Sequence, residues 1–366
     1  PVIRVLGLVL IINSCSIIQR TVLVRNIDFK TQTKVSLIAS LVSGGVGITM
    51  ALYHCGVWSL VGQQLSRQFF NSVLLWIYGK WRPLWEFSYK SFKDLFGFGS
   101  KLLLSGLIDV FYKNVYYIVI GRYYSATQLG QYTRAEQFST IFSSNLTSVV
   151  QRVSYPVLSS IQEEPERLRD AYRKIIKVTM LITFALMFGL AAIAKPLIVI
   201  LIGEKWLMAV PFLQIICFSE MLYPLHAISL NILQVRGYSG LFLKLEIVKK
   251  IIAVIPIMIG IFWGINYMLW GAVCISLVSY ILNSYYSGRL IDYSTVKQVK
   301  DIFPCFLVSS LVALLMWGIT FLHFNFLVTL LLQVSVGILL AIVAYERMRL
   351  EEYKDCLLYT SDAADE

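Results

Sequence analysis

Four polar side chains, Gln64, Arg67, Gln68 and Asn71, interrupt an otherwise apolar run at spacings of three and four residues. On a helix that spacing puts all four on one face. Arg67 has no acidic neighbour in the run, and a guanidinium so placed offers a planar fork of donors to a carboxylate or phosphate. Other polar groups recur inside apolar runs: Asp109 and Lys113 one helical turn apart, Arg134 and Glu136, and then Glu220, Tyr223 and Asn231. Ionisable groups in such surroundings are costly and usually face a cavity or a partner. Together they describe a hydrophilic cavity carrying several fixed positive charges, of a sign that suits an anionic or phosphate-bearing substrate. Plainer readings stand beside this one. Asp109 and Lys113 can neutralise each other within one helix, Arg134 and Glu136 can snorkel to an interface, and Gln and Asn stripes can glue helices together.

Bond-making chemistry finds no support. The six cysteines are scattered singly, the histidines His54, His226 and His323 are isolated, and no CxxC pair occurs. There is no glycine-rich nucleotide loop, nucleophile elbow or zinc motif, so no catalytic residue, cofactor or metal is expected. The glycosylation sequon Asn145-Leu146-Thr147 falls inside an apolar run and carries no weight.

The elements that position these residues are membrane helices. The chain is 57% hydrophobic and 14% charged, with a mean hydropathy of +0.70. A soluble domain carries about 25% charged residues. Apolar runs long enough to cross a bilayer fill most of the sequence. Reading them between polar breaks predicts eleven spans: 2–22, 35–53, 57–78, 102–120, 129–150, 178–202, 210–235, 247–263, 268–286, 303–321 and 327–345. The fold class is therefore all-α, a polytopic transmembrane helix bundle. The fifth span, rich in Ser, Thr and Gln, is the weakest. On it Ala135, Phe138, Phe142, Val149 and Val153 form one side, and Arg134, Gln137, Ser144, Thr147 and Gln151 the other.

Charge orients the spans. Most of the 32 Lys and Arg residues lie in alternate connections: Arg20 to Lys34, Lys80 to Lys101, Arg152 to Lys177, Arg236 to Lys250, Arg289 to Lys300, and the tail from Arg347. The remaining connections hold Arg122, Lys195 and Lys205, with Arg4 at the start of the first span. Basic loops stay in the cytoplasm, which places the start of the first span outside and the C-terminus inside. The net charge of +11 follows from this asymmetry and from anionic inner-leaflet lipid, and gives no support for nucleic-acid binding.

An internal repeat is also visible. Trp58 and Trp270, and Asn71-Ser72 and Asn283-Ser284, are separated by about 212 residues, the kind of internal symmetry transporters carry. Arg25 and Arg236, and Pro1 and Pro211, fall close to the same offset. The first three spans then correspond to the seventh, eighth and ninth. A six-span period keeps both copies in one orientation, a parallel repeat. If each half has six helices, about three spans should precede Pro1. The chain opens without a Met, directly in an apolar run, which also reads as truncated. The C-terminal stretch 355–366 breaks with everything before it and resembles the translation of a sequencing adaptor, an acidic cytoplasmic tail being the plainer alternative.

Several segments carry a family resemblance. They are Phe96-Gly97-Phe98-Gly99, the run Lys113-Asn114-Val115-Tyr116-Tyr117-Ile118-Val119-Ile120-Gly121-Arg122-Tyr123-Tyr124, and Leu129-Gly130-Gln131-Tyr132-Thr133-Arg134-Ala135-Glu136-Gln137-Phe138. Arg152-Val153-Ser154-Tyr155-Pro156-Val157-Leu158-Ser159-Ser160-Ile161-Gln162 and Tyr172-Arg173-Lys174 extend the pattern. In these the chain resembles the Wzx-type polysaccharide flippases, exporters of O-antigen, capsule and teichuronic acid repeat units. Their superfamily also holds multidrug antiporters and lipid II flippases. Where many members have an acidic residue ahead of the Ile-Gly-Arg run, this chain has Tyr116, which puts a cation or proton site at that position in doubt.

The resemblance implies two pseudo-symmetric lobes around a cavity that opens alternately to each side. It divides this chain into the end of a first lobe (1–95), a second six-helix lobe (96–290), two additional helices (291–354) and the tail. The implied substrate is an undecaprenyl-diphosphate-linked oligosaccharide, moved across the bacterial inner membrane with its lipid tail in the bilayer. Membrane lipids, polysaccharide assembly partners and a coupling ion, H+ or Na+, are the implied partners. The expected substrate-cavity residues are Gln64, Arg67, Asn71, Asp109, Lys113, Arg134 and Glu136. The alternatives are a multidrug or ion antiporter, for which a net acidic cavity would be expected, and a membrane glycosyltransferase or polymerase, which would need a sizeable external loop.

Overall fold

The computed structural model describes residues 2–25, 28–79, 82, 88–322 and 324–347. Pro1 of the repeat, His323, the basic residues Lys80, Arg349 and Lys354, and the 355–366 tail lie outside the described residues, as do the side chains of Arg25, Asp109 and Lys113. Among the described residues every regular element is helical. The chain divides into two compact units, Pro1–Ser100 and Lys101–Glu366.

In the first unit, α1 (Val2–Leu6), α2 (Leu8–Ser14) and α3 (Ile17–Arg25) replace the single first span expected from hydropathy. The bend between Val2–Ser14 and Ile17–Leu23 is 46°. Ser14 and Ser16 explain it locally, because their hydroxyls donate back to the carbonyls of Ile11 (2.7 Å) and Asn13 (3.2 Å) and compete with the helical ladder. α4 (Phe29–Leu52) starts at an Asp28 cap that accepts from the Thr31 amide (3.1 Å) and hydroxyl (2.8 Å). A turn at Gly56 (φ 55), left-handed backbone that favours glycine, returns the chain as α5 (Val57–Tyr78), which packs along α4. α6 (Tyr89–Tyr123) begins in this unit and continues into the next.

The second unit is organised around α8 (Pro165–Ile202), a 38-residue helix with Pro165 in its first turn. Around it pack α7 (Ala126–Ser160), α9 (Ala209–Glu220), α10 (Tyr223–Val235), α14 (Thr295–Gly318) and α15 (Phe326–Arg347). Tyr172, Met180, Phe184, Met187, Leu213, Leu225 and Ile228 are fully buried at these junctions. α11 (Ser239–Ile252) and α12 (Val254–Trp263) lead through Gly264 (φ 111) to α13 (Ile265–Leu290). The order of a broken helix pair, a second helical segment, a glycine turn and a long helix thus occurs in both units.

Among the described residues, six helical stretches are long and apolar enough to cross a membrane: Lys30–Leu52, Pro165–Ile202, Ala209–Val235, Ile265–Leu290, Thr295–Leu322 and Phe326–Arg347. The bent Val2–Leu23 pair raises the number to seven if it forms one broken span. Helices also occupy the third, fourth, fifth and eighth expected spans without passing that test. Physical causes are plain for three of them. α5 carries the Gln64 to Asn71 stripe, α7 is dense in Ser, Thr and Gln, and the eighth is divided between α11 and α12. Large apolar side chains are exposed along nearly every helix, as expected for surfaces that meet hydrocarbon rather than water. The protein is a multi-pass membrane protein.

The buried face of α7 carries several small hydroxyl residues beside Tyr132, Ala135 and Leu158. Phe142, Val149 and Val153 are exposed, whereas Gln131, Ser139, Ser143, Thr147 and Ser154 are buried against α9 and α10. Of the five polar residues grouped on one side in the sequence, Thr147 is buried and Arg134, Gln137, Ser144 and Gln151 are exposed. Small hydroxyl residues let helix backbones approach closely, and lipid takes the large apolar groups.

Candidate functional site: polar groups at membrane depth

On α5, Gln64 and Arg67 are exposed, and Gln68 and Asn71 are half-buried. The Gln68 amide donates to Asn13 Oδ1 of α2 (2.8 Å), and Trp76 Nε1 donates to the Cys15 carbonyl (2.9 Å) at the bend after α2. The broken first helix is thereby tied to the polar side of α5. Among the described residues Arg67 forms no ion pair or hydrogen bond. The four polar residues lie on one continuous helix, and among the described residues their cation has no partner.

Arg134 and Glu136, both expected cavity residues, point apart on α7. The Arg134 guanidinium lies over the Trp206 ring (5.5 Å) and donates to Gln137 (2.9 Å). Glu136 instead accepts from the hydroxyls of Tyr117 on α6 and Tyr132 (3.3 Å), in a cluster that also contains Tyr116. The Tyr116 position noted in the sequence thus adjoins a carboxylate supplied by the next helix. Two turns along α7, Ser143 donates to Glu220 Oε2 (2.5 Å), the last residue of α9.

The sequence reading treated His226 as isolated. Ser276 Oγ uses its one hydrogen on the Ser219 carbonyl (3.1 Å), so His226 Nε2 donates to Ser276 (3.2 Å) and Nδ1 accepts from the Asn283 amide (3.5 Å). That pattern assigns a neutral imidazole protonated at Nε2. At the other end of the unit, Arg173 makes a bidentate pair with Asp301 (2.6 and 2.9 Å), which also accepts from Tyr293 (2.6 Å). Asn231 donates to Ser154 (3.0 Å), and Arg236 donates to the carbonyls of Gln162 and Leu290. No sequence spacing pointed to these partners, which lie 50 or more residues apart in most cases.

A crevice of about 630 Å³ opens among α8, α9, α13 and α14, walled by Phe188, Phe218, Trp270, Phe306 and Trp317. Its polar Gln214 donates internally to the Ala191 carbonyl (3.1 Å), leaving a hydrocarbon-lined surface unsuited to a sugar or phosphate. Among the described residues no group of three metal-ligating side chains converges.

Comparison with known proteins decides the family. Residues 1–211 match the family described as Polysaccharide biosynthesis protein. This chain belongs to that family. Within it, the chain is 24% identical over 340 residues to the teichuronic acid biosynthesis protein TuaB of Bacillus subtilis, covering 92% of this chain and 70% of that one. The lipopolysaccharide biosynthesis protein WzxC of Escherichia coli is 24% identical over 267 residues, 71% of this chain and 53% of its own length. The chain therefore spans only about half of some of the curated relatives it matches. A solved structure of the lipid II flippase MurJ, in its inward closed conformation, superposes with a TM-score of 0.66 over 85% of this chain and 67% of that one. At 12% identity that likeness concerns the fold. The resemblance to polysaccharide flippases read from the sequence is borne out by these matches.

Proposed function

We propose that this polysaccharide biosynthesis protein flips undecaprenyl-diphosphate-linked oligosaccharide repeat units across the bacterial inner membrane by alternating access. It acts as a transporter, not as an enzyme. The observation that carries the proposal is Arg67, a guanidinium without a partner among the described residues, on a polar stripe of α5, the third span expected from the sequence. A fixed cation there costs a few kcal/mol on insertion scales, and a diphosphate offers bidentate, charge-assisted bonds in return. Gln64 and Asn71 extend the polar face of α5 around Arg67, and Asp109, Lys113, Arg134 and Glu136 are proposed as further substrate-contacting residues, Arg134 and Glu136 on different sides of α7. The relatives named for teichuronic acid and lipopolysaccharide biosynthesis support a surface-polysaccharide substrate.

The same proposal includes eleven spans in two pseudo-symmetric lobes, divided at 1–95, 96–290 and 291–354, with the C-terminus in the cytoplasm. Polysaccharide assembly enzymes and membrane lipids are its partners. The test of function is restoration of surface polymer by the complete gene in a strain lacking its own flippase, with loss of the lipid-linked repeat units that otherwise accumulate. Restored drug resistance without restored polymer would favour the antiporter alternative instead. Orientation is tested by labelling Cys55, in the turn between α4 and α5, with a membrane-impermeant thiol reagent. Cys55 should react from outside while Glu163→Cys stays protected, and the reverse pattern would invert the topology.

A further inference from the structure

Four residues of α10 escape burial, Tyr223, His226, Leu230 and Gln234, at spacings of three and four that put them on one face. Three of the four are polar, and Tyr223 and His226 lie near the middle of the stretch Ala209–Val235. By contrast, α14 and α15 expose Leu311, Leu314, Leu331 and Ile338. Those faces suit hydrocarbon. The α10 face does not, because burying polar groups in hydrocarbon is unfavourable. A second observation comes from α11, which packs beside α10. Lys249 falls in a basic connection by sequence, yet the structure places it on α11, paired with Glu246 one turn back. The two side chains are only 14% and 31% exposed. Glu246 lies within electrostatic range of Tyr223 and Lys249 within range of His226, so the pair borders the same face. Ionisable groups kept at membrane depth usually mark a substrate path.

We propose that the α10–α11 face is a glycan-binding surface, where Tyr223, Gln234 and the Glu246–Lys249 pair hydrogen-bond the sugar hydroxyls of the lipid-linked substrate. The inference rests on the transport reading above and adds to it the residues that hold the oligosaccharide, as distinct from the diphosphate. Among the described residues the Tyr223 hydroxyl and the Gln234 amide have no hydrogen-bond partner, so both are open to a ligand. A phenol and an amide each donate and accept, a carboxylate accepts and an ammonium donates. Sugar hydroxyls also do both and carry no charge, which matches a face where a carboxylate neutralises the ammonium beside it. A phosphate fits poorly, because Glu246, together with Glu220 within range of Tyr223, repels it. His226 walls the face without binding, since Ser276 and Asn283 occupy both of its ring nitrogens. From Tyr223 to Gln234 is eleven residues. That is about 16 Å of helix, enough for a run of sugar rings rather than one.

The test compares binding of two lipids by the complete protein in nanodiscs. One is the lipid-linked repeat unit extracted from a strain lacking its flippase, and the other is undecaprenyl diphosphate without sugar. The wild type should bind the first more tightly. Tyr223→Phe should weaken binding of the sugar-bearing lipid about fivefold, and Glu246→Gln combined with Lys249→Met about tenfold or more, with the bare lipid unaffected by either. Arg67→Gln should weaken both. In a background free of other cysteines, a hydrophilic thiol reagent should label Gln234→Cys and spare Leu277→Cys on the apolar outer side of α13. The sugar-bearing lipid should protect Gln234→Cys and the bare lipid should not, a readout that survives if the combined α11 variant fails to fold. Equal wild-type affinity for the two lipids, equal loss of both in Tyr223→Phe, or an unlabelled Gln234→Cys would overturn the glycan surface and leave the transport reading standing. Binding of neither lipid by the wild type would sink the transport reading and the glycan surface with it.

Discussion

α5 and α13 carry polar residues about 212 positions apart in the sequence and treat them in opposite ways. Gln64, Arg67, Gln68 and Asn71 of α5 match Ser276, Ser279, Tyr280 and Asn283 of α13. On α13 these groups are largely consumed by their own unit: Ser276 and Asn283 hold His226, and Tyr280 donates to Gln298 of α14 (3.5 Å). Ser279 and Asn283 are buried. On α5 one of the four is engaged, through Gln68, and the charged member is left open. Interhelical hydrogen bonds inside a bundle hold helices together. An uncompensated charge does nothing for packing and persists only if something else uses it. The same stripe therefore reads as adhesive in one helix and as a binding surface in the other.

Arg67 offers the largest test of that contrast. Arg67→Gln removes charge-assisted hydrogen bonds to an anionic ligand, worth about 1.5–3 kcal/mol, and should cut export roughly 10- to 100-fold. Membrane abundance should stay normal, and lipid-linked repeat units should accumulate on the cytoplasmic side. Arg67→Lys restores the charge without the fork and should recover only part of the activity. Full export by the Gln variant at normal abundance would break the comparison, leaving α5 as adhesive as α13.

Asparagine sharpens the contrast, because both helices have one at the same place. Asn283→Leu strips His226 Nδ1 of its donor inside a packed junction and should cost about 1–3 kcal/mol of stability. Asn71→Leu, at a half-buried site with no such partner, should change stability by less than about 0.5 kcal/mol while reducing export. Thermal unfolding in detergent reads the first quantity and surface polymer the second. Equal destabilisation by the two variants would remove the distinction.

How much of this was readable beforehand depends on the range of the interaction. Local periodicity places helices along most of the chain, and the structure is helical there, although the first expected span is three helices and the eighth is two. The breaks at Met221 and Ala253 were missed because hydropathy runs unbroken across them. Yet Pro224 and Pro256 stand three residues beyond, where proline removes an amide donor and clashes with the carbonyl four residues back. Proline alone would not have settled the matter, since Pro156, Pro196 and Pro304 lie within continuous helices. Hydropathy alone does not mark the packing face of α7, because in lipid the apolar side need not be the core. His226 was passed over because its partners, Ser276 and Asn283, come from a helix far along the chain.

The smallest effect concerns the charges that the second unit does neutralise. Arg173 and Asp301 pair bidentately, yet the Arg173 side chain is 49% exposed against 16% for Asp301. Solvent screens such a pair, so its coupling should be about 1 kcal/mol or less. Asp301→Asn should nevertheless cost more than Arg173→Met, because the carboxylate is the more buried member of the pair and also accepts from Tyr293. A double-mutant cycle on thermal unfolding isolates the shared term. Added salt should shrink that term in the wild type and leave the double variant unchanged. A coupling indistinguishable from zero would leave Arg173, like Arg67, without effective charge compensation. The line between the two helices would then rest on hydrogen bonding alone, with charge compensation playing no part in it.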